Sequence, residues 1–310
     1  MNPSLSICIP AYNRVHYLKR LLDSILIQEF KDFEIVITDD SDSDSVKDLL
    51  KEFENKFPIK YFRNDKALGT PANWNAAISK SNGEWIKLMH DDDWFTHEKA
   101  LQIFYEATKS GKKFIFSAYT NIFTENQAEK KFFPSSWQKR IIINPVTLLP
   151  RNVIGPPSVT MIHRSVTEKY DERLKWRVDI EYYMRVLQNE KDFKSIDQPL
   201  INVGIGYTQV TNYCKDHPEV ELPEGLILLK KYGTAPLKNI LVYDAWWRIL
   251  RNVKIRNQKQ LLHFAPSDEW PAVILRMIKH QSYVPHSFLK FGPFSKLFMS
   301  VSYLFNRHYL

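Results

Sequence analysis

The chain has 310 residues, 44% hydrophobic and 25% charged, an ordinary globular composition with room for one large domain and an appendage, or for two domains. Two cysteines argue against a disulfide framework or a Cys-rich metal site and favour a reducing, cytoplasmic compartment. The formal charge of +8 is uneven: residues 226–310 carry 13 Lys/Arg against 3 Asp/Glu, a net of +10, which leaves −2 for the rest.

The N-terminus lacks a basic start followed by a long apolar stretch, so no signal peptide is expected. No apolar run approaches the ~20 residues that a membrane-spanning helix needs. "LSICIP" reads as a buried strand, with Cys8 a buried thiol. Asn13 can cap a helix whose Leu18, Leu21, Leu22 and Ile25 share one face. "FEIVIT" is a second strand, followed by a polar turn and the helix "SVKDLLKEFENK". "IKYFRN" is a third strand, "PANWNAAISKS" a short helix, and "EWIKLM" a fourth strand. Thr96 can cap the helix "HEKALQIFYEATKS", and Gly111 stands just past its end. "KFIFSAYTNIF" is a fifth strand. This alternation predicts an α/β fold with a parallel sheet and helices on both faces.

Residues 124–150 read as irregular. "SVTMIHR" is a strand, "WRVDIEYYMRVLQNE" a helix with Ile180, Tyr183, Met184 and Leu187 on one side, and "FKSIDQPLINVGIGY" a strand or two. Only helices follow "KDHPEVELPEG", including "NILVYDAWWRILRNVKIR" and "EWPAVILRMIKHQ", which places a boundary near residue 220.

Ligands of such sheets bind at the carboxyl ends of the strands. Three polar clusters fall there: "AYNR" after the first strand, "TDDSD" after the second and "HDDDW" after the fourth. Counted from Asp40, "DSDSDS" mimics the first half of a calcium loop. However, Ser45 stands where glycine is needed and Lys51 where a bidentate Glu is needed, so that reading fails. Asp91, Asp92 and Asp93 repel one another. They are either a solvated turn or the holders of a divalent cation whose charge offsets the repulsion.

"SICIPAYNR", "DFEIVITDDSDSDS", "NWNAAISKSNGEWIKLMHDDDW" and "DERLKWRVDIEYYMRVL", in this order, resemble a family 2 glycosyltransferase over roughly residues 4–210. The resemblance implies a GT-A (Rossmann-like), mostly parallel sheet flanked by helices. Residues 1–220 would be the catalytic domain, with the nucleotide-sugar and metal site in 1–123 and the acceptor side and base in 124–220. Residues 221–310 would be a basic, aromatic-rich helical extension. It further implies an inverting transfer from a nucleotide sugar to an acceptor hydroxyl, with Mn²⁺ or Mg²⁺, in glycan or polysaccharide synthesis. Pro10, Tyr12, Asn13 and Arg14 would border the donor, Tyr12 stacking on or edging the base. Asp40, with Asp39 second to it, would accept from a base N–H. Asn75 would lie near the donor, while Trp74 stands where the family often has Arg.

In the family's Asp-x-Asp-Asp pattern the third residue binds the metal, which makes Asp92 the ligand. His90 replaces the first acid and would approach the ribose or the metal. Asp91 and Asp93 would support the site or bind through water, Asp93 as a secondary ligand. Asp179 falls at the position of the base, with Val178 in place of the usual Glu and Glu181 in reserve. "GPPSVTMIHR" would line the acceptor side, and Gln209 or Thr211 would approach a phosphate. His217 is read as a surface residue.

A sugar nucleotidyltransferase is the competing enzyme class, but "PAYNRVHY" lacks the glycine-rich loop that cradles a triphosphate. A non-catalytic sugar- or metal-binding relative is the other alternative, and it has no need of a base at Asp179. In the last quarter, basic residues interleave with Trp246, Trp247, Phe288, Phe291, Phe294 and Phe298. That mixture fits helices lying in an anionic membrane surface better than a nucleic-acid arm, and equally fits a structural cap. Gly292 and Pro293 should break the final helical stretch in two. A lipid-linked glycan acceptor at the inner face of the cell membrane would suit a peripheral enzyme.

Overall fold

The computed structural model describes residues 2–206 and 213–309. The chain packs as two compact units. One comprises Met1–Pro145, Val153–Glu172 and Tyr182–Tyr207, and the other Val146–Asn152, Arg173–Glu181 and Thr208–Leu310.

The first unit is built on a nine-stranded sheet. Its strands are β1 (Leu5–Ala11), β2 (Phe33–Asp39), β3 (Ile59–Arg63), β4 (Trp85–Leu88), β5 (Asp93–Phe95), β6 (Phe114–Thr124), β7 (Gln127–Lys131), β8 (Thr160–His163) and β9 (Lys194–Gly204). They run in the order β3-β2-β1-β4-β8-β6-β9-β5, with β7 added to β6. Every residue of β2 is buried, and Leu5, Ile7, Cys8 and Ile9 of β1 expose nothing. Continuous apolar runs of this kind suit strands covered on both faces.

Parallel neighbours need crossover connections, and helices supply them. These are α1 (Val15–Leu26), α2 (Ser45–Leu50, extended by a 3₁₀ turn at Lys51–Phe53) and α3 (Ala72–Ser79). The expected apolar face of α1 is buried at Leu18, Leu21, Leu22 and Ile25. Its expected cap is not used. Asn13 takes a left-handed φ of 54° and donates its backbone N–H to Ser41 Oγ at 2.8 Å, while Arg14 occupies the cap position. Thr96 likewise caps nothing: its hydroxyl bonds Pro199 O at 3.0 Å, and α4 starts later, at Ala100–Ala107. Gly111, with φ 70°, closes the 3₁₀ turn that ends this helical stretch, as expected.

The sheet is parallel through β3-β2-β1-β4 and between β6 and β9. β8 is antiparallel to both β4 and β6, β5 to β9, and β7 to β6. The stretch read as irregular contains the β6–β7 hairpin and a helix, α5 (Ser135–Ile143). The register aligns Ala11 with Asp39 and Asp39 with Arg63, so the carboxyl ends of β1, β2 and β3 share one edge. The chain steps from β1 to β2 to β3 and then returns to pair β4 on the other side of β1. That reversal is a topological switch point, where such sheets open a crevice.

α6 (Val178–Glu190) begins in the second unit, and α7 (Pro218–Tyr232), α8 (Ile240–Asn252), α9 (Gln258–Phe264), α10 (Ala272–Ser282), α11 (His286–Lys290) and α12 (Gly292–Asn306) make up most of it. Tyr243, Trp246 and Trp247 of α8 are buried in its core, which removes the two tryptophans from any membrane-facing surface. The helical stretch near the end does break at Phe291, between α11 and α12. Among the described residues, no helix is long and apolar enough to cross a membrane.

Candidate active site

Arg14 follows β1 at the start of α1 and the acidic turn follows β4, and the two meet beside the switch point. Arg14 Nε lies 3.0 Å from Asp91 Oδ2 and a second guanidinium nitrogen bonds Asp91 Oδ1, a two-pronged ion pair. Arg14 also reaches Asp92 Oδ2 at 3.1 Å. One guanidinium thus offsets part of the repulsion in the triple aspartate, and the two carboxylates in turn raise the Arg14 pKa against the pull of burial. Burial still pushes the Asp91 carboxyl up to about 7.

A second grouping lies alongside. His90, Asp92 and Asp93 each offer a ligand atom, and these atoms all lie within 4.8 Å of one another. His90 Nε2 is buried and has no hydrogen-bond partner. Burial lowers the His90 pKa to about 4, so the ring is neutral near pH 7 and keeps a lone pair available. Burial and the neighbouring Asp92 raise the Asp93 pKa well above the usual carboxylate range. This donor set is of the kind that can hold a divalent cation. One imidazole nitrogen and two carboxylates suit Mn²⁺, and the carboxylates suit Mg²⁺.

The supports of this turn come from distant parts of the chain. Ser158 Oγ accepts from His90 N at 2.9 Å, and the same side chain hydrogen-bonds Asp93. Ser158 lies in the "GPPSVTMIHR" stretch, expected to line the acceptor side. Buried Lys87 donates to the carbonyls of Ser158 and Thr160. Arg20 donates to Asp92 O at 2.8 Å, and Gly204 N to Asp93 Oδ1 at 3.2 Å. A Cβ on Gly204 would lie 2.5 Å from Asp92 O, so only glycine permits this approach of β9 to the turn.

The remaining expected donor residues lie on the same edge. Pro10, next to last in β1, pairs with Thr38, and Tyr12 is exposed. Asp39 is buried, with one oxygen accepting from Ser41 N and the other from Tyr61 Oη, each at 2.8 Å. Asp40 accepts from Asn64 Nδ2 at 2.7 Å and from the N–H groups of Leu68 and Gly69 at 3.0 and 2.8 Å. It therefore shapes the 64–69 loop and retains capacity for one more donor. Asn75 has both ends of its amide engaged, on the backbone of Tyr170 and on Glu172 Oε1. Trp74 packs edge-on against Tyr170 and 4.6 Å from the His90 ring. Gln209 and Thr211 lie outside the described residues.

Asp179 and Glu181 belong to the second unit and differ sharply there. Glu181 has no exposed surface and accepts from Tyr232 Oη at 2.9 Å and Lys231 Nζ at 2.5 Å. Asp179, the second residue of α6, is half-buried and accepts from Asn152 Nδ2 at 2.8 Å. Burial raises its pKa to about 6, outweighing the hydrogen bonds that favour its charged form. The segment just before it is pinned by Glu224, whose carboxylate accepts from the backbone N–H groups of Lys175, Trp176 and Arg177 at 2.6, 3.0 and 2.9 Å. Arg177 also pairs with Glu221. Glu221 and Glu224, both on α7, gave no sign in the sequence of supporting Asp179.

Residues 6–171 match the family model described as Glycosyl transferase family 2. A GalNAc(5)-diNAcBac-PP-undecaprenol beta-1,3-glucosyltransferase of Campylobacter jejuni is 36% identical over 93 residues, 29% of this chain and 30% of that protein. The abequosyltransferase RfbV of Salmonella typhimurium is 41% identical over 93 residues, 29% of this chain and 28% of that protein. The chain thus aligns with under a third of the length of either relative. The fold is similar to S. aureus TarS 1–349 in complex with UDP-GlcNAc, with a TM-score of 0.59 and 14% identity over 99% of this chain and 91% of that one. It is also similar to the mannosyltransferase PcManGT of Pyrobaculum calidifontis in complex with GDP-Man and Mn²⁺, with a TM-score of 0.53 and 12% identity over 100% of this chain and 88% of that one. These solved structures share the GT-A architecture, and with more than half its length matched by the family model, the chain belongs to glycosyl transferase family 2.

Proposed function

We propose that the protein is an inverting glycosyltransferase of glycan or polysaccharide synthesis, moving a sugar from a nucleotide-sugar donor to a hydroxyl of a glycan or lipid-linked glycan. The observation that carries this reading is the grouping of His90, Asp92 and Asp93 beside Arg14 at the switch point. Asp92, with Asp93 and the free nitrogen of His90, would hold Mn²⁺ or Mg²⁺. When bound, the ion supplies positive charge to the diphosphate that leaves. Arg14, which neutralises Asp92 in the free protein, would turn to the donor phosphates and add a second positive charge. Tyr12 offers an exposed ring to the base, and Asp40 its remaining acceptor capacity to a base N–H.

The acceptor hydroxyl must lose a proton as its oxygen attacks the anomeric carbon and the bond to the diphosphate breaks. Asp179 is the group we assign to take that proton. Its pKa of about 6 leaves it ionised near pH 7 yet basic enough to accept. Glu181, sealed against Lys231 and Tyr232, is assigned a structural role. A panel of nucleotide sugars, assayed for transfer and slow donor hydrolysis with Mn²⁺, with Mg²⁺ and with EDTA, tests the proposal. Metal-dependent turnover of at least one donor is expected. Full turnover in EDTA would remove the metal from the reading, and no donor binding or turnover across the panel would overturn it.

A further inference from the structure

The last long helix is built inside out. On α12 the residues facing the core of their unit are Ser295, Met299, Ser302 and Asn306, all buried and three of them polar. Those polar groups are held by hydrogen bonds. Trp247 Nε1 and Arg251 donate to Ser295 Oγ at 3.1 and 3.0 Å. Ser302 Oγ lies 2.7 Å from both Tyr243 Oη and His280 Nδ1, and Asn306 Nδ2 donates to Tyr243 Oη at 2.7 Å. These contacts fix the rotation of the helix, so its outward face is not open to choice.

That outward face is apolar. Phe294, Leu297, Val301, Leu304 and Phe305 recur at helical spacing and stand exposed, Leu304 at 62% and Phe305 at 68%. Phe288 and Phe291 continue the patch. Their ring centroids lie 6.1 and 5.2 Å from that of Phe294, so three exposed rings form one cluster. An apolar stripe this continuous on a surface marks an interaction site.

Charge identifies the partner. No Asp or Glu occurs after Glu269, whereas Arg276, Lys279, Lys290, Lys296 and Arg307 do. Lys279, Lys290, Lys296 and Arg307 are exposed. A protein partner or a second copy needs apolar complementarity but no surplus of one sign. A face that joins exposed Phe and Leu side chains to a segment whose only Asp, Glu, Lys or Arg residues are basic is complementary to anionic headgroups over acyl chains. We propose that the face formed by α11 and α12 docks the protein on an anionic lipid bilayer, lying in its interface and not crossing it. This goes beyond the catalytic reading and does not depend on it.

The test is flotation of the full chain with vesicles of phosphatidylcholine alone and of phosphatidylcholine with roughly a third phosphatidylglycerol. Binding to the anionic vesicles should exceed binding to the neutral ones by about tenfold or more, and should weaken as salt rises. The combined variant Leu297→Ser, Leu304→Ser, Phe305→Ser changes only exposed side chains. It should lose about tenfold in binding or more while melting like the parent. Lys290→Glu with Lys296→Glu should remove the preference for anionic lipid. Failure of the unaltered chain to float with either vesicle would overturn the proposal. So would vesicle binding unchanged in the Ser variant. A concentration-dependent dimer that the Ser variant dissolves, without vesicle binding, would assign the face to a second copy instead.

Discussion

The turn at residues 90–93 and the helix at 292–306 depart from the usual distribution of residues in opposite senses. The turn buries carboxylates and an unpartnered imidazole nitrogen beside the Arg14 guanidinium. The helix buries hydroxyls and an amide and turns its Phe and Leu outward. Neither arrangement is what folding alone would favour, because buried charge and exposed apolar surface each leave interactions unmade. They differ in what would complete them. On the proposed readings, a cation would complete the turn at one point and an apolar medium would complete the helix along a stripe. Where a fold leaves a local deficit and surrounds it with well-formed supports, the deficit describes the ligand.

The comparison is broken most severely at Asp92. Asp92→Ala should lower transfer by about 10³-fold, the scale of a lost charge clamp worth several kcal/mol, without lowering the melting temperature. A destabilised variant would show instead that the turn is structural. Asp179→Asn should lower kcat by roughly 10²-fold or more and leave donor affinity intact. Its pH profile separates it from a positioning role. Asp179 is raised to about 6, so it is protonated below that pH and cannot accept a proton. In the parent, kcat/KM should fall as pH drops through about 6, and in Asp179→Asn that limb should vanish. Glu181→Gln should act differently, costing about 1–3 kcal/mol of stability by unbalancing Lys231, with turnover near normal in the folded fraction. If instead Glu181→Gln is folded and inactive while Asp179→Asn works, the two roles are exchanged.

Smaller effects sharpen the picture of the turn. Gly204→Ala would press a methyl group on Asp92 O, and should weaken metal affinity by about tenfold, the usual scale for a disturbed ligand support. Asp91→Asn should cost less than Asp92→Ala, since Asp91 pairs with Arg14 and lies outside the His90, Asp92, Asp93 grouping. Equal loss in the two aspartate variants, measured as transfer rate at saturating Mn²⁺, would show that the Arg14 pair matters as much as the ligand set.

Much of this was legible from the sequence because it is local. The apolar runs of β1 and β2, the spacing on α1 and the polar clusters that follow strands are all properties of short windows. Two of the expected helix caps failed for a nonlocal reason. The N–H of Asn13 is drawn to Ser41, in the loop after β2, and the hydroxyl of Thr96 to Pro199, within β9. The antiparallel members β5 and β7 were hidden by being short or polar, whereas β8 was legible as the strand in "SVTMIHR" and only its antiparallel direction was not. The site followed the same division. "HDDDW" announces itself, but Ser158 and Gly204 reach it from 68 and 111 residues away, and Glu224 holds the approach to Asp179 from 47. Outward Phe and Leu on α12 were visible as an aromatic, basic composition. That the polar side faces inward could be known only from Tyr243, Trp247 and His280.

The central claim is that the acidic turn is completed by a divalent cation. Titrating the protein into Mn²⁺ while following the electron paramagnetic resonance of the free ion, with a nucleoside diphosphate present, reads this directly. The account predicts that the free signal falls toward one bound ion per chain, and that Asp92→Ala leaves it unchanged. A free signal unaffected by the unaltered protein, or equally reduced by Asp92→Ala, would contradict it.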